Sequence, residues 1–393
     1  MARTIRWIAA ATTALLGMPA GAQLTIRLAQ LPSSTPVGAT VHVAGSFNGW
    51  NPAAEGYALA RGADGSYTLT LPDSVRGAVE YKLTLGSWET VETRAGGGEV
   101  PNRAVTIPAT GAIVENVAVA AWRDGSAPKP RTHTASPSVA ILSDSFAMPQ
   151  LGRTRRVWIY LPPGYATSRA RYPVLYMADG QNVFDEATSF SGEWGVDEAL
   201  DSLAARGHRT IVVAVDHGGA RRLDEYDPWK ASDPKYGGGE GEAWVRFVVE
   251  TLKPYVDAHY RTRPERASTA IAGSSMGGLI SLYAALTRPA VFGSAGVFSC
   301  ACWIARDSVY ALAKRFRASA GATPRLYFVV GGQETADREP VHDQDAIVEL
   351  LRAGGYPKSS IRALVRANGK HAEWFWRREF PAAYRWMARA LHR

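Results

Sequence analysis

A serine set between glycines at the end of an apolar run has the means to become a nucleophile. Gly273-Ser274-Ser275-Met276-Gly277 has the form G-x-S-x-G, follows the strand-like run Thr269 to Ala272, and opens a helix-like stretch at Gly278. Glycines suit this place because the chain turns so sharply between strand and helix that side chains would clash; the serine hydroxyl is then presented above the sheet. Ser275 is the candidate nucleophile. A serine hydroxyl attacks poorly until a base takes its proton, and an imidazole is the side chain best suited to that near neutral pH. Of eight histidines, His371 in Asn368-Gly369-Lys370-His371 sits in a loop after the last strand-like run and just before the last helical one. His42 and His133 lie outside the part that alternates strands with helices, His208 and His392 lie in polar helix ends, His217 and His259 precede Ser275, and His342 follows the acid loop too closely.

A carboxylate is the expected third member, orienting the imidazole and stabilising its charged form. The apolar run Leu326 to Val330 ends in Gly331-Gly332-Gln333-Glu334, which puts Glu334 at a strand's carboxyl end; Asp337, three residues on, is its rival. The tetrahedral intermediate of acyl transfer needs two backbone N–H groups converging on its oxyanion. Met276, next after the nucleophile, offers one; the loop Asp179-Gly180-Gln181-Asn182 offers the other, from Gln181 or failing that Asn182, with Gly180 letting the backbone come close. This is acyl transfer through a serine nucleophile, a chemistry that requires no metal and no organic cofactor. It also carries a spatial expectation: the Ser275 oxygen and the His371 ring must come within bonding reach.

The elements that have to position these groups are legible after about Val139. Arg155 to Leu161, Val174 to Met177, Thr210 to Val215, Thr269 to Ala272 and Leu326 to Val330 are short apolar runs suited to strands buried on both faces. Between and after them lie the helical stretches Trp194 to Ala205, Ala243 to Tyr260, Gly278 to Leu286, Asp343 to Ala353 and Glu379 to Leu391. Residues 139–393 are thus predicted to form an α/β layered domain with a mostly parallel sheet. Residues 23–122 read differently, as short alternating runs between turn residues: Val37 to Ala44, Tyr67 to Leu71, Val79 to Leu85, Val105 to Ile107 and Ile113 to Val119. That pattern predicts an all-β, immunoglobulin-like sandwich. Residues 123–138, with Pro128, Pro130 and Pro137 among Ser, Thr, Lys and Arg, read as an exposed linker.

A chain of 393 residues favours two domains, and 46% hydrophobic with 20% charged residues excludes disordered, collagen-like and coiled-coil classes. The net charge of +8 includes Arg3 and Arg6, and the rest is spread without basic blocks or interleaved aromatics, so nucleic acid is not an expected partner. Arg3 and Arg6, the apolar run Trp7 to Met18 and the small residues Ala20-Gly21-Ala22 form a signal-peptide layout over residues 1–22, too short an apolar run to span a bilayer. The expected compartment is periplasmic or extracellular, with no membrane span after cleavage. Cys300 and Cys302, the only cysteines, are one residue apart. That spacing strains a bond between them, excludes a disulfide framework and, without a second ligand pair, argues against structural zinc.

With these residues in place, the segment from about Leu142 onward resembles the putative-esterase family of α/β-hydrolases, which includes enterochelin esterase, feruloyl esterases, esterase D and the mycolyltransferases. The resemblance rests on Tyr176-Met177-Ala178-Asp179-Gly180-Gln181-Asn182-Val183-Phe184-Asp185, on Ala272 to Leu279, and on Gly369-Lys370-His371 followed by Trp374 and Phe380-Pro381. It implies an α/β-hydrolase fold, with the family's nucleophile on Ser275, its base on His371 and its acid at Glu334, where many members have Asp. Arg222 to Pro228 also looks like a family segment near the site mouth, either a substrate contact or a solvated charged loop. The amino-terminal domain resembles starch- and glycogen-binding modules through Val43 to Pro52, Glu80-Tyr81-Lys82, Gly86-Ser87-Trp88-Glu89 and Pro101-Asn102-Arg103. Trp50, Lys82 and Trp88 fall where sugar-binding members keep stacking tryptophans and a polar partner; the alternative is that such tryptophans are core. The expected activity is a serine esterase acting on an acyl or feruloyl ester of a carbohydrate. Its rivals are a siderophore lactone esterase, an acyltransferase to a sugar, and a carbohydrate-binding protein with a vestigial hydrolase domain.

Overall fold

The computed structural model describes residues 23–95, 98, 100–108, 110–123, 132–189, 192–231, 233, 236–318 and 323–391. The signal-peptide segment 1–22 and most of the linker lie outside the described residues. The chain divides into two compact units, Met1–Lys129 and Pro130–Arg393.

The first unit is built of short strands. β1 (Gln23–Leu28), β2 (His42–Gly45), β3 (Ala60–Arg61), β4 (Tyr67–Thr70), β5 (Gly77–Thr84), β6 (Glu92–Thr93), β7 (Arg103–Ile107), β8 (Ala112–Val117) and β9 (Ala121–Trp122) form sheets ordered β3-β4-β1-β8, β2-β5-β7 and β6-β9. Alternation explains their shared core. In β1 the residues Leu24, Ile26 and Leu28 are buried while Gln23, Thr25 and Arg27 are not, and they pack with Val43, Leu69, Tyr81, Leu83 and Trp122. The strand expected from Val37 begins only at His42; Val37 is fully exposed, and Pro36 and Gly38 beside it favour a turn.

The second unit is an eight-stranded sheet with helices on both faces. β10 (Val139–Met148), β11 (Arg153–Tyr160), β12 (Val174–Ala178), β13 (Ile211–Val215), β14 (Thr269–Ser274), β15 (Ser294–Phe298), β16 (Arg325–Gly331) and β17 (Ile361–Arg366) are ordered β10-β11-β13-β12-β14-β15-β16-β17. β10 pairs antiparallel with β11 and β11 antiparallel with β13, and every later pair is parallel. The period of two divides the strand residues between two cores. Val174, Tyr176, Val213 and Ile271 meet Trp244, Leu279, Ile280 and Ile347 on one face. Leu175, Met177, Val212 and Ala272 meet Leu200, Phe375, Phe380 and Tyr384 on the other.

The helices follow from this division. α1 (Val196–Ala204) and, much later, the last helix α8 (Glu373–Leu391) cover the second face, whereas α3 (Gly241–Phe247), α5 (Met276–Thr287), α6 (Arg306–Arg315) and α7 (Glu339–Ala353) cover the first; α2 (Arg222–Tyr226) is a single short turn. The stretch expected as one helix from Ala243 runs through α3, a π-helical turn at Val248–Leu252 and α4 (Lys253–His259). Pro254 has no N–H to give the Glu250 carbonyl, and the wide turn lies just before it.

Residues 132–138 are not an open linker. The His133 ring bonds Asp185 Oδ2 at 2.7 Å, Thr134 Oγ1 donates to Glu193 Oε2 at 2.8 Å, and Ser136 N–H donates to Asp197 Oδ2 at 2.6 Å. These carboxylates are buried, and a buried carboxylate demands donors, so they bind the incoming chain to the α/β unit. His133, read as lying outside that part, belongs to it.

Candidate active site

Ser275 stands at the turn between β14 and α5 with φ 57° and ψ −120°, a left-handed backbone that L residues adopt only when the surroundings impose it. The neighbouring glycines show what imposes it. A Cβ on Gly273 would lie 2.6 Å from the Gly277 carbonyl, and one on Gly278 would lie 2.9 Å from the Phe298 carbonyl. The turn is fixed further by Ser275 N–H donating to Phe298 O at 2.9 Å and Ala301 N–H donating to Ser275 O at 3.0 Å. α5 is apolar nearly all round and buried, so the half-buried serine at its start is held by a rigid core element.

Glu334 and His371, the expected acid and base, follow β16 and β17. His371 Nδ1 lies 2.9 Å from Glu334 Oε2; the carboxylate is buried, at 1% exposure, and the imidazole is open at 39%. Their loops are tied together, since Gly332 N–H donates to Arg366 O at 2.8 Å and Gln333 N–H to Gly369 O at 3.0 Å. Gly331 and Gly369 approach so closely that a Cβ on Gly331 would strike the Gly369 backbone. Glu334 Oε1 accepts two more bonds, from Gly331 N–H at 2.6 Å and from the Ser299 hydroxyl at 2.5 Å. Asp337 is exposed and accepts instead from Glu339 N–H at the start of α7, at 3.1 Å.

The expected Ser275–His371 bond is not formed: among the described residues no hydrogen bond joins that hydroxyl to the imidazole. The two parts meet through the turn after β15, whose Phe298 and Ala301 bond the Ser275 backbone and whose Ser299 bonds Glu334.

The loop after β12 flanks the elbow. Asp179 takes a left-handed turn at φ 59° into the short 3-10 helix Gly180–Asn182, and a Cβ on Gly277 would approach Asp179 Oδ2 to 3.0 Å. Gln181 is fixed through both ends: its carbonyl accepts from Thr188 Oγ1 at 2.8 Å and its Oε1 from His217 N–H at 3.0 Å. Met276 N–H is among the first-turn donors that a helix leaves without an internal partner. Asp179 is clamped bidentately by Arg222, at 2.7 and 2.8 Å, and its N–H donates to the Tyr226 hydroxyl at 3.1 Å. Burial works to lower the proton affinity of Arg222, and the Asp179 charge more than reverses this, holding the guanidinium charged. Burial lowers the His217 pKa and pushes the Asp216 carboxyl up to about 6.

Arg222 to Pro228 is therefore not a solvated loop. Glu225, Tyr226 and Asp227 are fully buried, and Glu225 pairs with Arg153 at 2.8 Å and Arg155 at 2.5 Å. Cys300 and Cys302, whose spacing argues against pairing, are joined by a disulfide with Cα atoms 5.1 Å apart, within ordinary disulfide reach. The turn that makes this possible starts at Ser299, at φ 44°, and runs into the 3-10 helix Cys302–Ala305. Among the described residues no group of three or more metal-ligating side chains occurs. No described helix is long and apolar enough to cross a membrane.

Sequence reasoning missed Ser299, which carries no motif of its own. Trp374, which carries part of the family resemblance, is 48% exposed beside Arg378, and no role was given to Trp376, the residue beside the imidazole, with ring centroids 5.2 Å apart. The helical period could have shown it, because Trp376, Phe380, Tyr384 and Met387 recur on the buried face of α8.

A family model described as Putative esterase matches residues 148–387. The chain belongs to the putative esterase family. The fold agrees, for the structure of enterochelin esterase from Shigella flexneri superposes with a TM-score of 0.51 at 17% identity, covering 94% of this chain and 93% of that one. An endo-1,4-beta-xylanase/feruloyl esterase of Xylanibacter ruminicola is 26% identical over 58% of this chain and 28% of its own length. An alpha-amylase of Niallia circulans is 46% identical over 110 residues, which are 28% of this chain and 8% of the amylase. The chain thus spans only a small part of these two relatives. The family match and the structural neighbours agree with the α/β-hydrolase fold seen here.

In the first unit Trp50 and Trp88 are neighbours, with ring centroids 6.4 Å apart and planes tilted by 36°. Neither is core: Trp50 is half-buried and Trp88 is 36% exposed. Lys82, half-buried on β5, pairs with Ala44 of β2.

Proposed function

We propose that this protein is an ester hydrolase working through Ser275, His371 and Glu334; the observation carrying this reading is the bond between the His371 ring and the buried Glu334. Ser275 Oγ attacks the ester carbonyl as His371 Nε2 takes its proton, and the N–H groups of Met276 and Gln181 bind the developing oxyanion. The alcohol leaves with the proton returned by His371, and water then releases the acid from the acyl-enzyme by the same steps in reverse order. Glu334 holds the imidazole upright and balances its transient charge. Changing Ser275→Ala should abolish hydrolysis of p-nitrophenyl acetate by the purified protein, and retained activity would refute the assignment.

The substrate class proposed is an acyl or feruloyl ester of a carbohydrate. It is supported by the two partly open tryptophans of the first unit, whose flat faces suit glucose rings, and by the likeness to a feruloyl esterase and to an amylase. A second reading, hydrolysis of a siderophore lactone, is favoured by the likeness to enterochelin esterase over nearly the whole chain. Turnover of feruloyl, acetyl-xylan and ferric siderophore substrates side by side distinguishes them. Export to the periplasm or exterior is proposed from the residues 1–22 layout together with the Cys300–Cys302 disulfide, a bond that persists in oxidising compartments.

A further inference from the structure

The acid of the site is itself held by a second pair of residues, and the chemistry of their donors fixes which way every proton points. Trp376 Nε1 lies 2.8 Å from Ser299 Oγ, which lies 2.5 Å from Glu334 Oε1. An indole N–H only donates, so Ser299 must accept from Trp376, and the single hydroxyl proton of Ser299 is left to donate to Glu334. With Gly331 N–H also donating to Oε1, that oxygen has two donors, while Oε2 faces His371 Nδ1 at 2.9 Å. An ionised carboxylate only accepts, so Nδ1 carries a proton and Nε2 is the bare nitrogen available to a base.

We infer that Ser299 and Trp376 form a one-way positioning relay, Trp376 to Ser299 to Glu334, which keeps the Glu334 carboxylate aimed and thereby selects the His371 tautomer that accepts the Ser275 proton. The inference rests on the Ser275–His371–Glu334 reading. Two observations set Ser299 apart from an ordinary buried serine. It is 1% exposed and held at φ 44°, a backbone normally left to glycine, yet a glycine there would supply no hydroxyl. Trp376 also touches the relay at its far end, lying edge-on to the His371 ring with planes at 87°, so one side chain both feeds the acid's donor and braces the base. Neither residue touches substrate in the proposed mechanism; they are positioning residues.

The test compares Ser299→Ala, Ser299→Thr and Trp376→Phe with Glu334→Gln and Ser275→Ala, all in the full chain, with melting curves recorded for each. Ser299→Ala should lower kcat roughly 10- to 100-fold at nearly unchanged KM, the scale of a loosened catalytic group. It should also displace the pH profile of kcat/KM, because the bond between Glu334 and His371 is no longer aimed by the Ser299 hydroxyl. Ser299→Thr, which keeps the hydroxyl, should restore most of kcat, and Trp376→Phe should fall between. A proton NMR resonance far downfield from the His371 Nδ1–H should be present in the parent, absent in Glu334→Gln and displaced in Ser299→Ala. This spectroscopic readout holds even if a variant melts early. An unchanged pH profile, kcat and resonance in Ser299→Ala, alongside lost activity in Glu334→Gln, would overturn the relay while leaving the triad standing. Activity surviving Ser275→Ala would remove the triad, and the relay with it.

Discussion

Two carboxylates three residues apart follow β16, and their surroundings give them different work. Glu334 is enclosed and takes bonds from Ser299, Gly331 and His371, whereas Asp337 is open to water and accepts from Glu339 N–H where α7 begins. The hydrogen bond from Thr335 is the largest cause holding the Asp337 pKa low, so it remains a solvated anion. Changing Glu334→Gln should lower kcat on p-nitrophenyl acetate by about 10²-fold or more, because the imidazole loses both its aim and its counter-charge. Asp337→Asn should stay within about twofold of the parent. Equal losses in both variants would assign the acid wrongly. At this scale the turn at Ser275 and the pairing of His371 with Glu334 were legible, because G-x-S-x-G and a histidine loop after the last strand carry their own spacing, whereas the expected Ser275–His371 bond is not among those of the described residues. Ser299 was not, since nothing about a lone serine in Phe298-Ser299-Cys300 signals that the fold will aim its hydroxyl at a carboxylate.

Among the elements, the elbow is where backbone and packing are most tightly coupled. A methyl on Gly273 would meet the Gly277 backbone at 2.6 Å, and neither partner can yield without moving β14 or α5. Gly273→Ala should therefore lower stability by about 1–3 kcal/mol, seen as an earlier urea midpoint. A midpoint equal to the parent's would mean that the turn is looser than its geometry indicates. At the end of β13, Asp216 accepts from Trp158 Nε1 at 2.7 Å, yet burial still pushes it up to about 6. A carboxyl raised above its unfolded value contributes stability that is complete below the unfolded pKa near 4 and is lost as pH rises through 6. Asp216→Asn should thus raise the melting temperature relative to the parent more at pH 8 than at pH 4.5; a difference that shrinks with pH would contradict the shift. Strands with uniform apolar runs were readable, but β10, β15 and β17 were not. β15 is Ser-Ala-Gly-Val-Phe, weak in strand formers, because Gly296 leaves room for Ala272, Phe298 and Met387. β10 has polar Ser143, Asp144 and Ser145 at its register shifts, which break the alternation.

Over the whole molecule, the change in sequence grammar after about Val139, past the linker read at 123–138, told of two units, one of alternating strands and one of buried runs between helices; the compact units divide at Lys129/Pro130. It did not tell that residues 132–138 would be tied down, since the buried acceptors Asp185, Glu193 and Asp197 come from distant positions. Nor can spacing tell a surface tryptophan from a core one. Trp50 and Trp88 turned out to be adjacent and partly open, while Trp122 joins the core. If the pair serves glucan binding, Trp88→Ala should weaken retention on amylose roughly tenfold, the scale of a lost aromatic stack, without altering kcat on p-nitrophenyl acetate. Unchanged retention would mean that the pair does not grip sugar.

In the proposed mechanism one oxygen, that of Ser275, becomes covalently bonded to the acyl group, with His371 as its activating base. The most direct measurement is mass spectrometry of the intact protein and its peptides after exposure to an organophosphate that traps activated serines. A single adduct on the peptide carrying Ser275, absent in Ser275→Ala and formed at least about 100-fold more slowly in His371→Ala, is the predicted result. An adduct on another residue, or labelling of Ser275 that ignores His371, would contradict it.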